Sequence, residues 1–298
     1  MIILVCVCIP TIPATWFFIK EEKHPGVDFK AYISEFWELL QSRAMYQVIF
    51  YKFASGIFEN LSVTCGSPIK EYWVHITPLN DNIASILGNG IFALTLYLTG
   101  KIGLQWNWRW MHAITLFATY GIDAIIVMLV TWDVVRSQWF WLGPPLIENL
   151  PYGMSFIIAT YVVVELAGEG NEGAVYGLLT TVTNLTQTFA STITKNIDRN
   201  FDVKSKDIKA DTHHVRTHVT YVYLIMYFGG FIGLLFLPLL PSQKKETQEL
   251  KAKGGKSKLI GGLTIFYLMF ALCWSVMVNI MSIYPSTSCY KFVGGNGC

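Results

Sequence analysis

The 298-residue chain is 53% hydrophobic and only 14% charged, against roughly a quarter charged in soluble domains, so the composition argues against an ordinary soluble enzyme and points to a bilayer as solvent. A net charge of +2, with no basic patch interleaved with aromatic residues, excludes nucleic acid as a partner. The six cysteines form no CxxC pair and no cluster at metal-ligand spacing, so neither zinc nor a disulfide framework is expected; Cys289 and Cys298 pair only if the tail faces an oxidising side.

A bilayer-crossing helix needs roughly 20 mostly apolar residues, and about eight segments qualify. They are 1–19, 44–66, 79–100, 109–132, 138–167, 172–196, 218–241 and 258–284. The expected fold is all-α, a multipass transmembrane helical bundle, with seven spans as the alternative count. The opening MIILVCVCIPTIPATWFFIK has no basic n-region or clear cleavage site, so 1–19 reads as a span. A chain that begins inside the membrane is expected to be the remainder of a longer protein. Residues 20–43 read as a cytoplasmic linker holding an amphipathic helix. Its Phe29, Ile33, Phe36, Leu39 and Leu40 recur at helical spacing, suiting a membrane surface or packing on the bundle equally.

Charges in hydrocarbon cost about 3 kcal/mol, so polar residues inside spans mark cavities, partners or substrate routes. In 44–66, Lys52, Ser55, Gly56, Glu59 and Ser62 share one face. Lys52 and Glu59 stand about 10 Å apart along the axis, so each needs a bound anion or a partner on another helix. In 79–100, Asn80, Asp81 and Asn82 open the helix with Asp81 as its cap, while Asn89 sits deeper between Gly88 and Gly90. His112, Thr115, Thr119 and Asp123 share a face of 109–132, where Asp123 serves either to carry a proton or to make a plain interhelical hydrogen bond.

The span 138–167 contains Pro144, Pro145 and Pro151 with Gly143 and Gly153. Its helix is expected to kink or break, freeing carbonyls near Glu148 and Asn149, which is the usual sequence pointer to a transporter's binding site. The alternative is that the first prolines end an outside loop and Glu148 sits at the interface. In 172–196, Gly177, Thr180, Thr181, Asn184, Gln187, Thr188 and Ser191 form a polar stripe, with Leu178, Val182, Leu185 and Phe189 on the other side. Threonines can bond back to their own helix, so Asn184 and Gln187 are the better contact residues. GGFIG at 229–233 permits close helix crossing. Residues 242–257 read as a solvated basic cytoplasmic linker, 258–284 as an extra transmembrane helix and 285–298 as a tail.

Placing 20–43 in the cytoplasm also puts Lys101, Arg109 and the 244–258 lysines inside, about 12 Lys/Arg against about 9 outside. His213, His214 and His218 resemble one box of a di-iron desaturase, but no second box exists, so they read as a loop. Glu148 and Glu165 have no paired carboxylate, no Ser/His or Cys/His motif appears, and GEGNEG lacks the lysine of a phosphate loop. No enzyme, cofactor or metal is expected.

The run ELAGEGNEGAVYGLLTTVTNLTQT resembles the signature of the folate-biopterin transporter family of the major facilitator superfamily. Its Gly-x-Glu-Gly turn and following helix correspond to Gly170, Glu172, Gly173, Gly177, Leu178, Leu179 and Asn184. The chain departs in having Gly168 and Glu169 where prolines are more usual, and Gly177 where alanine is usual. The resemblance covers 1–241 and implies helices six to twelve of that fold: 1–19 as helix six and 44–241 as the six-helix C-terminal transporter half. The absent first half implies a partner N-terminal half or a second copy, because such carriers rock two halves about a central site. The resemblance also implies pteridine substrates, folate or biopterin-like, moved by alternating access.

Proton coupling through a carboxylate is expected. A pterin ring offers adjacent N–H donors to a carboxylate such as Glu59, Asp123 or Glu148, and a flat face to aromatic residues such as Tyr152. Lys52 is the cation for a folate tail, and Asn89, Asn149, Asn184, Gln187 and Thr188 complete the expected binding set. The alternative function is a non-transporting half-protein or truncated remnant that acts as an assembly partner in the membrane.

Overall fold

The structure is a computed structural model that describes residues 2–18, 28–167, 171–295 and 297–298. Among these, secondary structure is helical, with no named strand. The chain divides into two units, the first ending at Phe36 and the second beginning at Trp37. The first unit holds helix α1 (Ile2–Phe18), which keeps Pro10 and Pro13 within it, and the start of α2 (Phe29–Gln41). On the apolar face of α2, Phe29 and Ile33 are exposed, Phe36 and Leu39 are half-buried and Leu40 is buried.

In the second unit, α3 (Arg43–Glu59) ends seven residues short of the expected 44–66 span. Asn60 turns its amide onto the Gly56 carbonyl at 2.7 Å, and the chain leaves the helix. Polar residues then meet the end of α8 (Glu172–Asp198): Ser62 N–H donates to Thr194 Oγ1, and Thr64 donates from both N and Oγ1 to the buried Asp198 carboxylate at 2.7 and 2.8 Å. These contacts satisfy backbone groups that a continued helix would have paired internally. A short helix, α4 (Gly66–Tyr72), follows.

Pro78 opens α5 (Pro78–Ile102) after Thr77, so Asp81 is a first-turn acid paired with Lys70 at 3.4 Å and not the expected cap. Asn107 caps α6 (Trp108–Thr131) by accepting from Arg109 N and Trp110 N. The expected break in the proline-rich span is absent: α7 (Gln138–Leu166) is one helix with all three prolines inside. It packs along both α5 and α6, and Asn149 Nδ2 donates to the Pro145 carbonyl at 2.9 Å, so tertiary packing and a local side-chain bond hold a segment that propensity would interrupt.

After a short α9 (Ser205–Ala210), α10 (His213–Gly233) begins on the Thr212 cap and ends in a 3-10 turn over Leu234–Leu239. Its Val219, Val222 and Tyr223 join Cys65, Ile69, Trp73, Ile126 and Val127 in the main apolar core. The basic linker is not simply solvated: residues Lys244–Lys253 form α11. Thr247 is fully buried, Arg109 Nη2 pairs with Glu246 at 2.8 Å, Lys244 pairs with Glu165, and Lys251 donates to the Glu165 and Ala167 carbonyls. Burial pushes the Glu246 carboxyl up, but Ser242 and Arg109 outweigh it and hold it below the usual glutamate range. α12 (Lys258–Ile283) follows, and the tail returns to the end of α8, where Arg199 Nη1 donates to the Gly295 carbonyl at 3.0 Å. Cys289 and Cys298 are bonded there.

Five described helices are long and apolar enough to cross a membrane, the stretches Pro78–Gln105, Trp108–Thr131, Gln138–Leu166, His213–Leu239 and Lys258–Ile283. The chain is therefore an all-helical, multi-pass membrane protein by length and composition. Three expected spans fall outside that set for separate reasons. α3 has 17 residues, α8 is long enough at 27 residues but too polar, and α1 is described only over the 17 residues Ile2–Phe18.

Candidate functional site

Two of the hollows among the described helices hold expected site residues. The first, about 280 Å³, lies among α3, α6, α7 and α8 and is lined by Lys52, Glu59, His112, Tyr152, Thr186 and Gln187, among others. Gly56 builds its wall, because a Cβ there would come within 3.0 Å of Thr186 Oγ1; the bare backbone lets α3 and α8 approach. Glu59 Oε1 meets His112 Nε2 at 3.1 Å, so the glutamate finds its partner on α6 and not on its own helix. Lys52, within electrostatic reach of Glu59, has no carboxylate within 4.0 Å among the described residues. The hollow therefore presents an ammonium with no carboxylate partner among the described residues, a Glu–His couple, the amides of Asn60 and Gln187 and the phenols of Tyr51 and Tyr152. Together these can bind an anionic or hydrogen-bonding solute.

The second hollow, about 430 Å³, is lined by Lys70, Asp81, Asn89, Asp123, Trp141 and Asn149, among others. Asp123 accepts from Tyr227 Oη at 2.7 Å, the interhelical hydrogen bond that joins α6 to α10. Glu148 lines neither hollow, and its Oε1 is buried without a hydrogen-bond partner among the described residues. It stands within electrostatic range of Asp123.

The residues expected to share one cleft are thus divided. Lys52, Glu59, Tyr152 and Gln187 line the first hollow, and Asn89, Asp123 and Asn149 the second. The reason is axial distance: from 112 to 123 is 11 residues, three turns of one face but about 16 Å of rise, so α6 serves both hollows from the same side. Thr188 turns away from both and accepts from Ser275 Oγ at 3.0 Å, joining α8 to α12.

On α8 the polar stripe faces outward. Gly177, Thr180, Thr181, Asn184, Gln187 and Ser191 are exposed, while Val175, Leu179, Val182, Leu185, Thr186 and Ala190 are buried against the bundle. Thr181 bonds back to the Gly177 carbonyl at 2.8 Å, but neither Asn184 nor Gln187 has a side-chain hydrogen bond among the described residues. A Cβ at Gly173 or Gly177 would meet nothing within 4 Å, so packing inside the chain does not call for those glycines. Glu172 occupies the first turn of α8, where an acid suits the helix dipole; Gly170 lies outside the described residues.

Sequence reasoning missed Tyr227 and Thr186. The first pairs with Asp123 and the second sits fully buried between α3 and α8. Each contact joins helices far apart in sequence, and no spacing within one helix reports it. Compared with protein-family models, with curated proteins and with solved structures, the chain matches none.

Proposed function

We propose that the chain is one half of a secondary carrier for pteridines, folate or biopterin-like, whose substrate cleft is closed by a second half or a second copy and whose transport is coupled to protons. One observation carries the reading: the polar stripe of α8 is exposed at Gly177, Thr180, Thr181, Asn184, Gln187 and Ser191, with only Thr188 of the set turned to a neighbouring helix. A membrane helix does not leave unpaired amides in hydrocarbon, so that face belongs to a wet cleft or to another protein. Gln187 connects the stripe to the hollow that holds Lys52 and the Glu59–His112 couple. Tyr152, which is exposed at the edge of the same hollow, offers a ring for stacking. Asp123 and Glu148 supply carboxylates for the proton. The eight-span, major facilitator-like arrangement belongs to this same proposal.

The test is binding and uptake of folate and biopterin by membranes that carry the chain together with its complementary half. Lys52→Ala is expected to weaken folate about 10- to 100-fold, the value of one charged hydrogen bond, and to leave biopterin, which has no glutamate tail, nearly unchanged. Equal folate binding in the variant removes Lys52 from the site. The exposed stripe favours a second reading, an assembly surface without transport. A chain that binds no pterin yet copurifies with another membrane protein through α8 supports that one.

A further inference from the structure

The connection between α8 and α10 brings together Asp202, His214 and His218, one ligand atom from each lying within 4.8 Å of the others. The two histidines are four residues apart on the first turns of α10, so one face of a helix presents both rings, with centroids 4.0 Å apart. Asp202 Oδ2 lies 3.0 Å from His214 Nε2 and 3.6 Å from His218 Nδ1. An ion with bonds of about 2.0–2.1 Å to a tetrahedral set has ligand-to-ligand edges of about 3.4 Å, which these two separations bracket. We propose that Asp202, His214 and His218 form a binding site for a single divalent transition ion of the zinc class.

Two nitrogens and one carboxylate suit zinc and its neighbours and not calcium or magnesium, which need several oxygens. His218 Nδ1 accepts the Asp202 backbone N–H at 2.9 Å, so this nitrogen is unprotonated, the form that ligates; an ion takes its lone pair by displacing that amide, which turns to water. His214 and Asp202 side chains are 65% and 61% exposed, which gives an ion a path in and leaves its fourth position to water. A mononuclear site, unlike a di-iron centre, needs no second histidine box. The ion would tie the turn after α8 to the start of α10. The bonded Cys289–Cys298 tail packs on the same end of α8, which puts the site on the side where disulfides persist.

The experiment uses the full chain, purified in detergent with a tag free of histidine, and titrates Co²⁺ and then Zn²⁺. The expected result is one ion per chain, the visible bands of four-coordinate Co²⁺ and their loss as Zn²⁺ displaces it. His214→Ala and His218→Ala each weaken Zn²⁺ by at least about tenfold, Asp202→Asn weakens it less, and His213→Ala, whose ring packs on Trp132, leaves it unchanged. Because His214 and Asp202 are mostly exposed, their variants keep the fold, and a Zn²⁺-dependent rise in Tm present in the parent and lost in Asp202→Ala gives an independent readout. Absence of saturable binding, or binding that survives the His214→Ala/His218→Ala double variant, overturns the site.

Discussion

Gly230→Leu is expected to destabilise the helical bundle by about 3 kcal/mol, the upper part of the range for overpacking a core. A Cβ at Gly230 would fall on the Tyr120 ring, where α10 crosses α6 with no room between them. That ring also packs on Tyr227 at 5.5 Å and on Phe231 at 5.6 Å, so turning it aside gives up both contacts. Moving α10 outward instead separates Tyr227 from Asp123 and breaks the hydrogen bond that joins α10 to α6. Helix propensity returns less than about 1 kcal/mol on replacing glycine and cannot offset the clash. Gly121→Ala is the matched control: it lies on α6 one residue from Tyr120, a Cβ there meets nothing within 4 Å, and a small gain in stability is expected. Thermal unfolding of the two variants in detergent separates them. Equal midpoints would mean that α6 and α10 do not cross as described.

Asp211→Asn is expected to cost on the order of 2 kcal/mol at neutral pH and progressively less as the pH falls. The carboxylate sits at the end of α9 and takes Arg136 in a bidentate pair at 2.6 and 3.0 Å and Arg216 at 2.9 Å on each oxygen. Burial pushes its carboxyl up, but hydrogen bonds and charge from the two guanidiniums outweigh burial and bring it from 3.8 to about 2. A carboxyl lowered on folding stabilises the folded state above its unfolded value, near 3.8, and loses that contribution as the pH falls towards 2. Parent and variant should therefore differ most at pH 7 and converge between about pH 4 and pH 2. Asparagine is the right replacement because residue 211 has φ 47°, a left-handed conformation that asparagine tolerates; the change then isolates charge from backbone strain. A pH-independent difference between the two proteins would refute the account.

Within each helix, the sequence was a good guide. The helices of 79–100, 109–132 and 258–284 appear within two residues of their expected bounds, because their apolar length and flanking polar residues are local properties. The faces were legible as well: the α8 stripe runs along one side, as the spacing of Thr180, Asn184 and Gln187 requires. The GGFIG run does serve close packing, with Gly229 against Leu61, Gly230 against Tyr120 and Gly233 against Glu59. Local rules failed where a neighbour overrode them. Three prolines predicted a break in α7 that packing between α5 and α6 removes, and the lysine-rich linker became a helix because Glu165, Ala167 and Arg109 receive it.

Composition and hydrophobic length determined that the chain lives in a membrane as a helical bundle, since removing backbone polar groups from water leaves a helix little alternative. Which polar residues meet was decided only by the tertiary structure. Glu59 with His112, Asp123 with Tyr227 and Thr188 with Ser275 are pairs 53, 104 and 87 residues apart, so no periodicity connects them. The division of the expected cleft into two hollows has the same origin: a helical period records which side a residue faces, while the rise along the axis and the neighbouring helices set what it reaches.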